Sequence, residues 1–411
     1  MRRFSGAQLI IIATIVAGIA GYAVTWLVFR FVGASGYAVF AVFWAALYLV
    51  IGGLSGIQQE VTRATRPIEL GVRVVASRAR NFAIVVAAGV LVLVIASAVF
   101  WVPAVLPDQG WDLVWPIAIG AASYVLVAVL SGSLYGVAQW RSIALLVAAD
   151  GLLRVTLVGV GLVFTRDVVL LAWLVALPFP LALALLWPII RRSFVGTSDI
   201  DVGYSALSWN VARTVLASVS TAVLVSGFPL VLGVAAPPAP SALLGQLIFA
   251  ITLARAPLIV TVMALQSFLI VRFRDGVDRP VRALFHILGL LLVITLLAAA
   301  LTVPVGPPVF ALVAGPDFPL DGFFIAVLVL SSGLVASLCV TGAATLARGR
   351  HRAYSLGWLA AALATIACVV LGTDLVPTVT AALLVGPAVG LVVHLIAYVT
   401  PSNHRKTPHA G

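Results

Sequence analysis

Charge is scarce in this 411-residue chain: Asp, Glu, Lys and Arg together make up 9% of it, and the single lysine, Lys406, sits in the C-terminal tail. Without an internal lysine there is no G-x-x-x-x-G-K-[ST] phosphate loop and no Schiff-base nucleophile, which argues against ATP hydrolysis and lysine-based covalent chemistry. The two cysteines, Cys339 and Cys368, fall in different apolar runs without metal or redox spacing, so packing is their simplest role. His286, His351, His394, His404 and His409 show no H-E-x-x-H or other zinc pattern. His286 and His394 lie in or beside apolar runs, where a packing or interfacial histidine is expected. Neither a metal nor a cofactor is expected.

What fills the chain is apolar: 63% of residues are hydrophobic and the mean hydropathy is +1.20. Most residues therefore belong to solvent-free surroundings, in an all-α polytopic membrane protein. A span needs about 20 apolar residues, and twelve such runs are found, near 7–29, 37–58, 82–103, 113–138, 142–164, 168–190, 208–233, 242–271, 284–305, 321–346, 353–372 and 378–399. Basic residues gather at alternate connections: Arg2 and Arg3, the 63–80 segment, Arg141, Arg191 and Arg192, the 272–282 segment, the 348–352 segment, and Arg405 with Lys406. Only Arg30 and Arg166 fall on the other side. The positive-inside rule then puts both termini of this multi-pass protein in the cytoplasm and supports an even helix count. The net charge of +11 reads as this topology signal, not as nucleic-acid binding. The run at 9–31 is too long for an ordinary signal peptide and is followed at once by a second span.

Six runs precede the 191–207 connector and six follow it. The expected organisation is a six-helix bundle over 1–190, a cytoplasmic connector over 191–207, a second bundle over 208–399 and a disordered tail over 400–411. A shift of 209 aligns Gly36 with Gly245, Phe40 with Phe249, Ala45 with Ala254 and Arg63 with Arg272, as a parallel duplication would. Gly52 with Gly56, Gly132 with Gly136, and Gly386 with Gly390 form small-xxx-small faces, read here as packing surfaces. Gly53-Leu54-Ser55-Gly56 resembles the G-x-S-G motif of rhomboid intramembrane proteases, yet Ser55 falls at the cytoplasmic end of its run. Asp108, Asp112, Asp167, Asp317, Asp321 and Asp374 are scattered over short outer connections, as helix flanks, and no long acidic outer loop is present. An enzyme is not expected.

The ionisable residues inside the runs are Asp150, Arg154, Arg213 and Arg255. Asp150 and Arg154 stand four apart and can pair along one helix; they either fix packing or let Asp150 exchange a proton during transport. Arg213, one turn into its run, can snorkel. Arg255 lies about 20 Å of helix from either end of its run at 1.5 Å per residue, too deep for that. Pro257 beside it favours a kink of the kind that lines cavities.

Three stretches resemble the polysaccharide and oligosaccharide-lipid flippases of the multidrug/oligosaccharidyl-lipid/polysaccharide exporter superfamily. They are Gly36-Tyr37-Ala38-Val39-Phe40; Gly132-Ser133-Leu134-Tyr135-Gly136 with Arg141, Asp150 and Arg154; and Gly245 to Gln266, with Arg255-Ala256-Pro257. The resemblance implies about twelve helices in two MATE-like six-helix bundles, a cavity lined by helices 1, 2, 7 and 8, and alternating access. It implies a lipid-linked glycan as substrate, with Arg255, Arg213 and more weakly Arg30 holding the lipid phosphate, because guanidinium geometry suits phosphate oxygens. Membrane lipids, glycosyltransferases and a glycan polymerase are the partners it suggests. Two alternatives remain: a cation-coupled multidrug exporter, which calls for an acidic cavity, and a non-transporting scaffold for glycan assembly.

Overall fold

The computed structural model describes residues 6–67, 78–106, 110–194, 198–200, 202–236, 240–255, 269, 273, 280–315 and 320–400. Among them, nine helices are long and apolar enough to cross a membrane. In chain order the elements are α1 (Gly6–Ala64), β1 (Thr65–Pro67), α2 (Arg78–Val105), α3 (Gly110–Gly136), α4 (Trp140–Phe164), α5 (Val168–Ala176), α6 (Pro178–Phe194), β2 (Ser198–Ile200), α7 (Tyr204–Val225) and α8 (Phe228–Ala235). Then come α9 (Ser241–Arg255), α10 (Pro280–Ala314), α11 (Gly322–Ala347), α12 (His351–Leu371) and α13 (Leu375–Val399). Each of the twelve apolar runs meets a helix. β1 and β2 pair antiparallel as a three-residue ribbon, Thr65 opposite Ile200.

Contacts divide the chain into two compact units: Met1–Leu253 with Pro308–Pro319 and Thr373–Leu375, and Ala254–Pro307 with Leu320–Gly372 and Val376–Gly411. α7 packs along α1 and belongs to the first unit. The 401–411 tail lies outside the described residues.

In the first unit, α1 holds two predicted spans. Between the runs at 7–29 and 37–58 the helix is broken at Gly33 alone, whose φ of 84° is one that glycine adopts without steric cost. The rings of Phe29 and Tyr37 meet at 5.3 Å, although eight residues of straight helix would separate them by about 12 Å. The two arms, 6–32 and 34–64, run back on each other: Gly6 abuts Trp140 while Gly136 abuts Thr65, so the single α3–α4 turn gathers both far ends. Arg166 closes the first arm by donating Nε–H to the Phe31 carbonyl at 2.7 Å. The run at 168–190 is divided between α5 and α6 where Pro178 lacks an N–H, and the run at 208–233 between α7 and α8 at Ser226–Gly227.

Lipid tails are as apolar as leucine, so close packing and hydrogen bonds hold such helices together. Glycine supplies the closeness. A side chain at Gly52 or Gly56 would strike Ala222 or the Thr214–Val215 backbone of α7, and one at Gly132 would strike Gln58 and Val61. Around these approaches Leu54, Ile57 and Val61 of α1, Phe82 of α2, Val125 and Val129 of α3, and Leu207 and Val211 of α7 form one buried cluster. α9 joins by stacking Phe249 on Phe29 at 4.0 Å.

The second unit is built the same way. Gly333 of α11 fits against Thr295 of α10, Gly357 of α12 against the His394 ring, and Gly386 and Gly390 of α13 against Thr365 and Ala361. All three small-xxx-small pairs are thus packing faces. Asp321 accepts from Phe323 N–H at 3.2 Å and caps α11; in the first unit Asp167 caps α5 by accepting from Val169 N–H at 3.0 Å. Asp108 and Asp317 lie outside the described residues.

Candidate functional site

Asp150 and Arg154 face the same side of α4, one turn apart, and the pair forms as the spacing requires: Arg154 Nη2 donates to Asp150 Oδ1 at 2.7 Å. Four other helices complete the surroundings. Arg154 Nε donates to the Val175 carbonyl at 3.2 Å, in the last turn of α5. Its guanidinium carbon lies 4.9 Å from the ring centre of Phe179 on α6 and 5.7 Å from that of Tyr48 on the second arm of α1. Tyr124 of α3 packs edge-on against Phe179 at 5.7 Å. The cation is thus sealed between a carboxylate, a carbonyl and two aromatic faces, the sort of enclosure that lets a desolvated guanidinium persist in an apolar bundle. Its side chain is 7% exposed while that of Asp150 is 23% exposed, so the carboxylate is the accessible half. That half can accept a hydrogen bond or a proton; the guanidinium is already engaged.

Arg255 is buried, 8% exposed, and is the last described residue of α9. Beside it, Ser332 of α11 donates to the Ala254 carbonyl at 3.4 Å, and Cys339 of the same helix is within electrostatic range of the guanidinium. The continuation of this span, with Pro257 and its expected kink, lies outside the described residues.

Arg30 and Arg213 are both exposed in the first unit. Arg30 flanks the break in α1 and reaches toward Gly315. Arg213 belongs to the part of α7 that meets Gly56 and Glu60. From Gly33 to Gly56 the second arm covers about 35 Å at 1.5 Å per residue, so one phosphate cannot touch both arginines in this conformation.

Sequence reasoning missed Glu60. Its Oε1 accepts from Thr214 Oγ1 at 2.7 Å, tying α1 to α7, while Oε2 pairs with Arg63 Nη2 at 2.8 Å. A basic residue three positions along was the available signal. His394 is fully buried and bonded at both ring nitrogens, Nδ1 with Thr341 Oγ1 at 3.1 Å and Nε2 with the Tyr354 carbonyl at 3.0 Å, as a packing histidine would be. Ser55 donates to the Gly52 carbonyl at 2.6 Å, and the glycines around it receive α7. Its motif is a helix-packing surface, and Ser55→Ala is expected to change stability by no more than about 0.5 kcal/mol in a thermal unfolding assay.

Compared with known proteins, the chain is 32% identical over 404 residues to the uncharacterized protein Rv3630 of Mycobacterium tuberculosis, covering 94% of this chain and 90% of that one. With the uncharacterized protein Rv1510 of the same organism it shares 30% over 390 residues, covering 94% and 89%. No family model matches. Among solved structures, an inward-facing multidrug resistance MATE family transporter of the MOP superfamily superposes with a TM-score of 0.67 at 16% identity, covering 95% of this chain and 97% of that one. The lipid II flippase MurJ in an inward closed conformation gives 0.65 at 14%, covering 95% and 87%. At such identities the likeness is one of fold, an all-α membrane architecture of the MATE type.

Proposed function

We propose, from the premise that this chain belongs to the same family as the Mycobacterium tuberculosis proteins Rv3630 and Rv1510 and carries the fold of the MOP superfamily, that it is a flippase. Its substrate in this reading is a polyprenyl phosphate- or diphosphate-linked oligosaccharide, or a related cell-surface polysaccharide precursor. It carries this from the inner to the outer leaflet of the bacterial plasma membrane by alternating access, with both termini in the cytoplasm, beside glycosyltransferases and a glycan polymerase, and without nucleic acid or enzymatic chemistry.

The observation that carries the reading is the sign of the buried charge. Arg154 and Arg255 are the charged residues buried among those described, and both are cationic. A site for lipophilic cations calls for the opposite sign. An arginine at bilayer depth costs roughly 2.5–3.5 kcal/mol on insertion scales, a cost that an anionic head group would offset through charge-assisted hydrogen bonds. Arg255 holds the phosphate in this reading. Arg213 and Arg30, near opposite ends of the second arm, meet the head group at separate stages of the passage. Moving one negative charge outward through an inside-negative potential is favourable by about 2.3 kcal/mol per 100 mV.

The cation-coupled exporter has one observation in its favour, the part-exposed carboxylate of Asp150, and that carboxylate serves equally well for proton coupling in a flippase.

The test is the leaflet position of polyprenyl-linked glycan in cells lacking the protein, complemented with wild type or Arg255→Gln at matched membrane levels. Wild type is expected to restore outer-leaflet glycan, and the variant to work at least about tenfold more slowly, since a hydrogen bond to a charged group is worth about 1.5–3 kcal/mol. Normal translocation in the deletion strain with no second flippase, or cationic dye extrusion with unchanged glycan lipids, refutes the assignment.

A further inference from the structure

We propose that Trp44 and Tyr48, with Ser55, Gln59 and Thr62 on the same face of the second arm of α1, form a track that binds the pyranose rings of the substrate. This rests on the flippase reading above and adds to it the part of the substrate that is recognised.

At 100° per residue these five positions fall within about 60° of one another. Other faces of the arm are taken. Leu47, Gln58 and Val61 meet the glycines of α3; Ala34, Val42 and Gly56 meet α9, α8 and α7 in turn. The track lies between these packed faces, and its residues are part-buried except Gln59, which is exposed. Tyr48 stands about 22–24 Å of helix from either end of the arm, at mid-depth in a membrane. A row of hydroxyl and amide groups running from there to the end bearing Arg63 is poorly matched to lipid tails, and suits a wet or ligand-filled space.

At the deep end, the Trp44 and Tyr48 rings stack at 4.7 Å with planes 18° apart. Among the described residues neither the indole N–H nor the phenol hydroxyl has a hydrogen-bond partner, and neither is sealed from contact. Tyr48 gives one face to Trp44 and turns the other to Arg154, so the ring the pair presents to a sugar is the indole: the C–H face lies on Trp44, and the hydroxyls meet the unused N–H and O–H donors along the rim. Further along, Ser55 and Thr62 donate to the Gly52 and Gln58 carbonyls, which leaves their oxygens as acceptors for sugar hydroxyls. Gln59 offers both a donor and an acceptor. The five residues carry no charge, so they select for hydrogen-bonding shape, and the part-exposed Asp150 carboxylate beyond Tyr48 adds one strong acceptor.

Binding to the full-length protein in lipid nanodiscs tests this. The probes are polyprenyl diphosphate, either bare or bearing glucose, galactose or N-acetylglucosamine, and ethidium as an aromatic cation. Wild type is expected to bind at least one sugar-bearing probe about tenfold more tightly than the bare lipid, the size of one stacking contact plus one hydrogen bond. Trp44→Leu, and separately Gln59→Ala at its exposed position, are expected to bring that ratio to about twofold or less while leaving the bare lipid's affinity as it was. Arg255→Gln is expected to weaken all lipid probes alike. A wild-type protein with no preference for any sugar-bearing probe, or a ratio that survives both track substitutions, overturns the track and leaves the flippase reading standing. Ethidium binding that Trp44→Leu abolishes, with no sugar preference, assigns the stack to cations and overturns it too. Failure of wild type to bind even the bare diphosphate overturns the flippase reading, and the track with it.

Discussion

Arg154→Met is expected to destabilise the protein by about 3–5 kcal/mol, the usual cost of removing one partner from a buried ion pair. Methionine keeps much of the volume and leaves the ring contacts of Tyr48 and Phe179 with a polarizable neighbour. What it strands is the Asp150 carboxylate, three-quarters buried and deprived of its 2.7 Å donor, and the Val175 carbonyl. The double variant Asp150→Asn/Arg154→Met removes the charge from both sides and is expected to regain most of the loss. Thermal unfolding in detergent, read on wild type, both single variants and the double, gives the coupling directly. Equal losses in Arg154→Met and the double variant would show that the guanidinium is held by its aromatic faces and not by the carboxylate. Transport measured on the double variant then separates the two roles left open for Asp150: a packing pair can be replaced without loss of rate, and a proton-exchanging carboxylate cannot.

The second large effect is expected at Gly245→Ala. A methyl there would sit 1.9 Å from the Ala34 carbonyl oxygen and 2.8 Å from its carbon, so the obstacle is backbone on the neighbouring arm. No rotamer change can relieve it; α9 must back away from α1 and loosen the Phe29–Phe249 stack. Overpacking of this kind costs about 1–3 kcal/mol and sometimes more, and the loss should appear as a lower melting temperature with weaker protection of the 241–255 segment in hydrogen exchange. Gly89→Ala is the matched control, because nothing lies within 4 Å of a methyl at that position of α2. Alanine's better helix propensity makes that change neutral or stabilising by up to about 1 kcal/mol.

The order of the spans was legible because crossing a bilayer demands an apolar run of fixed length, and among the described residues each run meets a helix. The breaks within spans were less so. Pro178 marks the interruption of the sixth, but the one after Val225 depends on a Ser-Gly step that reads like many others in the sequence. Among the site residues, the Asp150–Arg154 pair follows from helical spacing alone. Tyr48, Phe179 and the Val175 carbonyl do not, since each belongs to another helix and only packing brings it to α4. Glu60 was passed over for the same reason: its partner Thr214 is 154 residues away. The small-residue faces were visible as spacing, and their partners were not, because glycine leaves no chemical trace of what it admits.

The one-residue break at Gly33 also bears on how the protein enters its membrane. With no connecting loop between them, the two arms are expected to enter the bilayer together, as one helical hairpin. Arg30 stands three residues before the bend, so its charge stays with that hairpin as it inserts. Lengthening the bend by a few flexible residues would turn one insertion step into two and give the newly made chain a chance to adopt the wrong orientation.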